Sequence, residues 1–124
     1  MHQQGAQAYN QTTKVVESPR QRESALLMKA AAGIQRVKDE WAICTHEELK
    51  SALGYNRKIW TIFMSSVTKE DNPLPRELRQ NIANLGMFIM NQTREILLEI
   101  DPQPSSLDVL VRLNRQIASG LRGM

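Results

Sequence analysis

The residues of this sequence that could do chemistry are few, and most of them lie at one place. His46 is followed by Glu47 and Glu48, and Cys44 stands two positions before it. A histidine beside carboxylates suggests a metal site or a proton-transfer site, but zinc takes three or four ligands and too few are present here. Thr45 and Glu48 also have the spacing of a capping box, and acidic residues favour the positive end of a helix. We therefore interpret His46 as part of a solvated helix start and predict no metal site.

Motifs for nucleophilic catalysis and for phosphate binding are missing as well. Cys44 has no distant histidine apart from His2 near the N-terminus, and no Gly-x-Ser-x-Gly pattern occurs. The six glycines are scattered singly, so the sequence has no glycine-rich loop that could cradle a phosphate. We predict no catalytic residue, no cofactor and no small-molecule substrate. The sequence therefore indicates a protein that binds another macromolecule and is not an enzyme.

Length and composition favour one soluble domain. The chain has 124 residues, of which 41% are hydrophobic and 23% charged, a normal globular balance. Its single cysteine excludes an intramolecular disulfide and favours a reducing compartment. No apolar run approaches the roughly 20 residues that a membrane span needs, and the N-terminus is too polar for a signal peptide. We expect a cytoplasmic protein without membrane insertion.

Hydrophobic periodicity predicts an all-α fold. We expect a small four-helix bundle-like domain over residues 18–124, preceded by a flexible N-terminal arm over residues 1–17. The first helix has a clear start, with Ser18 as N-cap, Pro19 at the first helical position and Gln21 as the capping-box partner. The predicted buried stripes are Leu27, Ala31, Ile34, Val37 or Lys38, and Trp41 in the first helix; Leu49, Leu53, Asn56, Trp60, Phe63 and Val67 in the second; Leu78, Ile82, Leu85, Ile89, Ile96 and Ile100 in the third; and Leu110, Leu113, Ile117 and Leu121 in the fourth.

Prolines mark the boundaries of the third helix. Pro73-Leu74-Pro75 breaks the chain after the second helix, because proline lacks an amide donor and disfavours helix before it. Pro102 and Pro104 are predicted to end the third helix, with Ser105 or Ser106 as cap of the fourth. Four amphipathic helices joined by short loops follow from this spacing.

The second and third helices carry more apolar side chains than one buried face requires. A helix that is apolar nearly all round is either central to a core or part of an interface, and both interpretations stay open here. Methionine and phenylalanine on a groove are typical of an adaptable peptide-binding surface. Gly86 in the third helix indicates a close helix approach, with Trp60 as a candidate neighbour. The predicted partner-binding residues are Tyr9, acting as a lid, with Trp60, Phe63, Met64, Met87 and Phe88.

Polar features offer a second hypothesis. Basic residues recur on three predicted helices, as either a strip for RNA or a solvated face without interleaved aromatic side chains. Asn56 and Asn114 fall near the apolar stripes, where a buried amide needs a hydrogen-bond partner. They either fix helix register or contact a partner. The basic residues are Arg57, Lys58, Arg76, Arg79, Arg112 and Arg115.

Several short segments in fixed order resemble the FlaF family, the flagellar biosynthesis regulators of alphaproteobacteria. The likeness runs from about Tyr9 to Leu121. The Gln-rich first eight residues and Gln21, where family members often carry an acid, depart from the pattern. The segments are Tyr9, Glu17-Ser18-Pro19-Arg20, Trp60, Pro73-Leu74-Pro75 with Leu78-Arg79, Ile82, Leu85-Gly86, and Leu113-Asn114-Arg115-Gln116-Ile117 with Gly120-Leu121.

This resemblance implies a cytoplasmic partner of flagellin. FlaF proteins are understood to promote flagellin production and secretion as export chaperones, alongside FlbT, which restrains flagellin translation. The family implies no enzymatic activity and no cofactor, and it brings no residue-level binding site. The alternative expectation is post-transcriptional regulation through flagellin mRNA or through FlbT, without holding flagellin itself.

Overall fold

Four α-helices account for most of the described structure. The computed structural model describes residues 18–124, with α1 (Pro19–Asp39), α2 (His46–Val67), α3 (Arg76–Leu98) and α4 (Asp108–Arg122), and a short 3-10 helix (Pro104–Leu107) leads into α4. No strand occurs between residues 18 and 124. The predicted all-α, four-helix fold is confirmed. The predicted arm and its Tyr9 lie outside the described residues.

The starts of α1 and α2 follow the capping chemistry of the sequence to different degrees. Ser18 Oγ accepts a hydrogen bond from the Gln21 amide at 3.1 Å, and the Ser18 amide donates to Gln21 Oε1 at 3.1 Å, so this capping box is complete. Thr45 Oγ1 accepts from the Glu48 amide at 3.1 Å, but the reciprocal bond is missing. A cap of this kind contributes about 1 kcal/mol to helix stability. Both helix starts are therefore fixed locally.

The core is centred on α1, which packs most extensively against α4 and then against α2. Helices α1 and α4 are antiparallel. Ser24 Oγ donates to the Ala118 carbonyl at 2.8 Å near one end of the pair, and Lys38 pairs with Asp108 near the other. The α2 stripe is buried as predicted. The largest fully buried apolar side chains are Trp60, Leu27, Ile34, Leu53, Ile82, Ile89, Ile96, Leu107, Leu110 and Val67.

A buried polar network joins three of the helices. Asn114 Oδ1 accepts from the Trp60 indole Nε1 at 2.9 Å, and Asn114 Nδ2 donates to Asn56 Oδ1 at 2.7 Å and to the Leu27 carbonyl at 3.0 Å. All three side chains are wholly buried. Of the two predicted roles for the asparagines, the network supports fixing helix register, because a shift of α4 would separate every pair.

The third helix packs chiefly on α2. Gly86 of α3 lies against the side chain of Met64, and a Cβ at Gly86 would stand 2.5 Å from Met64 Cγ. The nearest side chain is thus that of Met64, whereas Trp60, the candidate neighbour, donates its indole N–H to Asn114 of α4. Thr93, which lies between Ile89 and Ile96 of the predicted α3 stripe, is wholly buried. The stripe of α3 is therefore built around a glycine and a threonine as well as its isoleucines.

Two predictions near the end of α3 are wrong. Ile100 is fully exposed rather than buried, because α3 ends at Leu98. A continued helix would drive the ring of Pro102 into the carbonyl four residues earlier, which belongs to Leu98. Neither Ser105 nor Ser106 caps α4, since both lie within the 3-10 helix and no side-chain cap bond occurs at the start of α4.

The buried face of α4 is shifted from the predicted one. Leu113 and Ile117 are only half-buried, whereas Val111 and Ala118 are buried. The hydrogen bonds of Asn114 hold that side chain at the centre of the buried face. Trp41 is likewise half-buried, because α1 ends at Asp39.

Candidate protein-binding surface

An apolar groove runs between α1 and α2. Its cavity has a volume of about 210 Å³. A whole helix is about 10 Å across with its side chains, so the cavity has room for side chains while a docking helix would rest on its rim. We call this feature the α1–α2 groove. It is lined by Pro19, Arg22, Glu23, Leu26, Leu27, Ile59, Ile62, Phe63 and Ser66.

Helical spacing explains why these residues share a surface. Positions three and four apart are neighbours on a helix, which groups Ile59, Ile62 and Phe63 on one side of α2. Phe63 is buried and packs on Trp60 with ring centroids 5.8 Å apart, so it forms part of the floor. Leu26 on α1 is 36% exposed and Ile62 is 57% exposed. These two aliphatic side chains therefore stand at the rim, in contact with solvent.

A largely buried ion pair lies beside the groove. Arg20 Nε and Glu23 Oε1 are 2.7 Å apart, and the two side chains are only 15% and 18% exposed. Burial raises the pKa of the Glu23 carboxyl above its usual 4.5, although the charge of Arg20 and its hydrogen bond act in the opposite direction. The wall of the groove thus contains an acid that is held partly out of water.

Glu23→Gln is expected to change how the stability of the fold depends on pH. A carboxyl with a raised pKa in the folded state binds its proton more tightly there than in the unfolded chain. Its stabilising contribution is complete below the unfolded pKa and is lost as the pH rises through the folded pKa, so the wild type should lose stability relative to Glu23→Gln just above pH 4.5. Urea denaturation over a pH series measures this difference. The same replacement at Glu70, which is exposed in the loop after α2, serves as the control, and parallel profiles for all three proteins would contradict the prediction.

The six predicted partner-binding residues do not come together on one surface. Trp60 is wholly buried, with its indole nitrogen bonded to Asn114, so its side chain is in the core. Met64 is half-buried in the seam with α3, about 160° around α2 from Ile62 at 3.6 residues per turn. Phe63 alone of the set lines the α1–α2 groove. Tyr9 lies outside the described residues.

The other two predicted residues form a separate apolar face on α3. Met87 is 58% exposed and Phe88 is 44% exposed. Neither residue lines the α1–α2 groove, and α3 contributes nothing to its wall. The sequence prediction did not include Leu26 and Ile62, which lie at the rim of the groove. In the sequence, each of these two residues is an aliphatic residue next to a predicted buried stripe that already had enough apolar members to form the core.

The predicted basic strip is divided among several places. Arg79 Nη1 donates to the Lys69 carbonyl at 3.0 Å and so ties α3 to the loop before it. Arg112 and Arg115 line a depression between α1 and α4 to which α2 contributes no residue. Arg57 and Lys58 are exposed on α2. The basic residues of α2 and α4 therefore do not line a common depression.

At the start of α2, the pKa values of two neighbouring side chains are shifted. A hydrogen bond to Glu48, and then burial, raise the pKa of the Cys44 thiol. The same hydrogen bond, followed by that from the Thr45 backbone, lowers the pKa of Glu48. His46 is exposed. Within residues 18–124, no three His, Cys, Asp or Glu side chains are grouped so as to hold a metal ion.

The described fold and groove define a class of protein. An all-α domain with an apolar groove left open between two helices is a small helical protein with a concave apolar surface. The chain matches the family model described as flagellar protein FlaF over residues 5–121, and it belongs to the FlaF family. The resemblance seen in the sequence is thereby confirmed, and the chain is a flagellar protein.

Neither the curated proteins nor the solved structures give a match to this chain.

Among the helices between residues 18 and 124, none combines the length and the apolar composition that crossing a membrane would require.

Proposed function

We propose that this chain binds unassembled flagellin and thereby acts as an export chaperone and a positive regulator of flagellin synthesis and secretion. The observation that carries the proposal is the α1–α2 groove, with Leu26 and Ile62 open to solvent, on a chain of the FlaF family. The role is one of binding alone and requires neither catalysis nor a cofactor.

The shape of the groove suits an amphipathic helix. Such a helix presents apolar side chains at positions i, i+3, i+4 and i+7, which fit a groove between two helices. Flagellin termini form amphipathic helices on assembly, and before export their apolar faces would otherwise aggregate. One or more of these side chains enters the cavity above Phe63, while the rim residues Leu26 and Ile62 cover the flanks of the bound helix.

A pair of matched substitutions tests the proposal. Ile62 and Met87 are 57% and 58% exposed, so an aspartate at either position adds a charge without opening the core. Ile62→Asp should weaken binding of unassembled flagellin at least about tenfold, which corresponds to about 1.4 kcal/mol, because the carboxylate must lose its water in an apolar contact. Met87→Asp should bind as the wild type does. Isothermal titration calorimetry measures both affinities, and circular dichroism checks that both variants are folded.

The control also locates the site if the proposal is wrong. Weaker binding by Met87→Asp together with normal binding by Ile62→Asp would move the interface to the exposed face of α3. Normal binding by both variants would show that flagellin docks neither on the α1–α2 groove nor on the exposed face of α3.

Regulation through flagellin mRNA or through FlbT is the second candidate. The depression lined by Arg112 and Arg115, both exposed, is the observation that favours a nucleic acid. Phosphate contacts release counterions, so such binding weakens steeply as salt rises. Binding of flagellin in the apolar groove should persist in the same salt series. Repeating the titration at high salt therefore separates the two candidates.

A further inference from the structure

A second depression continues the α1–α2 groove along the two helices. The groove brings the start of α1 beside the end of α2, and the second depression brings the end of α1 beside the start of α2, so the two helices are antiparallel. The second depression has a volume of about 400 Å³. From Pro19 to Val37, the two depressions follow 18 positions of α1, or about 27 Å at 1.5 Å per residue. We call the two together the extended groove.

Residues seven positions apart show that both depressions lie on the same face of the helix pair. Two turns of an α-helix take about 7.2 residues, so side chains seven positions apart lie almost above one another. On α1 this spacing joins Arg22 of the first depression to Lys29 of the second, and on α2 it joins Ile62 of the first to Tyr55 of the second. The two rows face each other, because Lys29 Nζ lies 5.7 Å from the centre of the Tyr55 ring. A single helix can therefore lie over both depressions.

The α1 wall of the extended groove has an excess of positive charge at Arg22 and Lys29. Both side chains are exposed, and among residues 18–124 no carboxylate forms an ion pair with either of them. Glu23, which lines the same wall, is held in the largely buried ion pair described above. On the opposite wall, the side chains that face these two cations, Ile62 and Tyr55, supply no carboxylate. Two positive charges thus stand beside an apolar surface.

The charge is balanced at the other end of the extended groove. Arg36, the next residue in the row of α1, has its Nε 3.3 Å from Glu40 Oε2. Glu48 of α2 lines the same depression as Arg36. Two carboxylates therefore surround one guanidinium there, and the uncompensated charge is confined to Arg22 and Lys29.

We propose that the extended groove selects an amphipathic helix with carboxylates at two positions, seven residues apart, along one edge of its apolar stripe. The stripe lies over Leu26 and Ile62, and the two carboxylates face Arg22 and Lys29. The inference rests on the proposed function, since it describes the segment of flagellin that docks in the groove. It adds the charge pattern by which that segment is distinguished from other apolar helices.

Electrostatic complementarity at a rim acts mainly on specificity. A carboxylate that docks beside these cations leaves part of its water, and attraction between opposite charges strengthens where the dielectric is lower. A basic side chain in the same place would meet like charge, which costs affinity. The ring of Tyr55 attracts the Lys29 ammonium and so favours its position over the groove. The apolar floor supplies affinity, and the two cations decide which helices are accepted.

Synthetic helical peptides test this preference without flagellin. Three peptides of about 18 residues, the length of the extended groove, share one apolar stripe and carry Glu, Gln or Lys at two positions seven apart beside it. Because an exposed ion pair contributes about 0.2–1 kcal/mol, or about a 1.5- to 5-fold change in affinity, the full-length chain should bind the Glu peptide at least about threefold more tightly than the Gln peptide at low salt. The Lys peptide should bind most weakly. High salt should remove most of the difference, because it screens exposed charges. Fluorescence anisotropy measures the affinities.

Matched double variants assign the preference to the two cations. Arg22→Gln/Lys29→Gln should bind the Glu and Gln peptides equally, and glutamine at these exposed helical positions keeps a good helix former. Lys50→Gln/Arg57→Gln removes the same charge from two exposed positions of α2, also seven apart, that line neither depression. This control should keep the full preference for the Glu peptide. Circular dichroism checks that both variants are folded.

Equal binding of the three peptides, or binding of none, would overturn the inference. So would a preference that survives Arg22→Gln/Lys29→Gln or that the control variant also loses. Flagellin at low salt should then bind Arg22→Gln/Lys29→Gln at least about threefold more weakly than the wild type. If Ile62→Asp weakens flagellin binding and Arg22→Gln/Lys29→Gln does not, the proposed function stands and the charge pattern is wrong. If the peptides are selected but Ile62→Asp leaves flagellin binding unchanged, the charge preference of the groove stands and flagellin is not its ligand.

Discussion

Asn114→Leu is expected to destabilise the fold by at least about 3 kcal/mol, because each buried polar group left without a partner costs about 1–3 kcal/mol. Leucine is similar in size but provides no hydrogen bond. The indole of Trp60, the amide oxygen of Asn56 and the carbonyl of Leu27 would all lose the partner that Asn114 provides. A domain of this size has a total stability of about 5–15 kcal/mol, so the loss should be a large fraction of it.

Urea denaturation followed by tryptophan fluorescence measures this effect, because Trp60 is part of the network. Gln116→Leu is the matched control, since Gln116 is exposed two residues away on the same helix. It should change the free energy of unfolding by less than about 0.5 kcal/mol. If Asn114→Leu were as stable as Gln116→Leu, the network would contribute nothing to holding α4 in register.

Gly86→Val is expected to destabilise the fold by about 2 kcal/mol through overpacking. A Cβ at position 86 would stand 2.5 Å from Met64 Cγ, well inside van der Waals contact. Met64 is half-buried against the core, so its side chain can move aside only by losing contacts. The seam between α2 and α3 is therefore sensitive to a single added side chain.

A double-mutant cycle isolates this contact. Met64→Ala should remove the clash, so Gly86→Val should cost less in a Met64→Ala background than in the wild type. Gly33→Val is the control, because a Cβ at exposed Gly33 would meet no atom within 4 Å apart from its chain neighbours and the backbone of its own helix. In that open helical position valine should be neutral or slightly stabilising. Equal costs at positions 33 and 86 would show that loss of glycine, and not contact with Met64, causes the effect.

The sequence predicts the α2 part of the fold more completely than the rest. All six members of its stripe are buried, including Asn56. Residues that recur in steps of three and four over 22 positions lie on one face of a helix, so only one orientation of α2 buries them all. In α4 the same rule favours Leu113 and Ile117, yet the bonds of Asn114 bring Val111 and Ala118 inward. A periodic pattern gives the mean direction of the buried face, whereas long-range hydrogen bonds decide its centre.

The candidate site was harder to predict for a different reason. A surplus of apolar residues on α2 is visible in the sequence, but which side of α2 is covered depends on where α3 packs. Because α3 covers the side with Met64, the side with Ile62 is left open. Trp60, the largest residue in the predicted set, is in the core, since its indole has a buried acceptor 54 positions later in the chain. Distant pairings of this kind leave no local signal.

The contacts between α1 and α4 also decide when the molecule can fold during its own synthesis. Leu27 and Asn114 are 87 positions apart, and Ser24 and Ala118 are 94 positions apart. At about 5–20 residues per second, a ribosome needs on the order of 5–20 seconds to make the second partner after the first. During that time the apolar face of α1 has no α4 to cover it. A nascent chain that stops before residue 107 therefore lacks the helix that covers this face of α1.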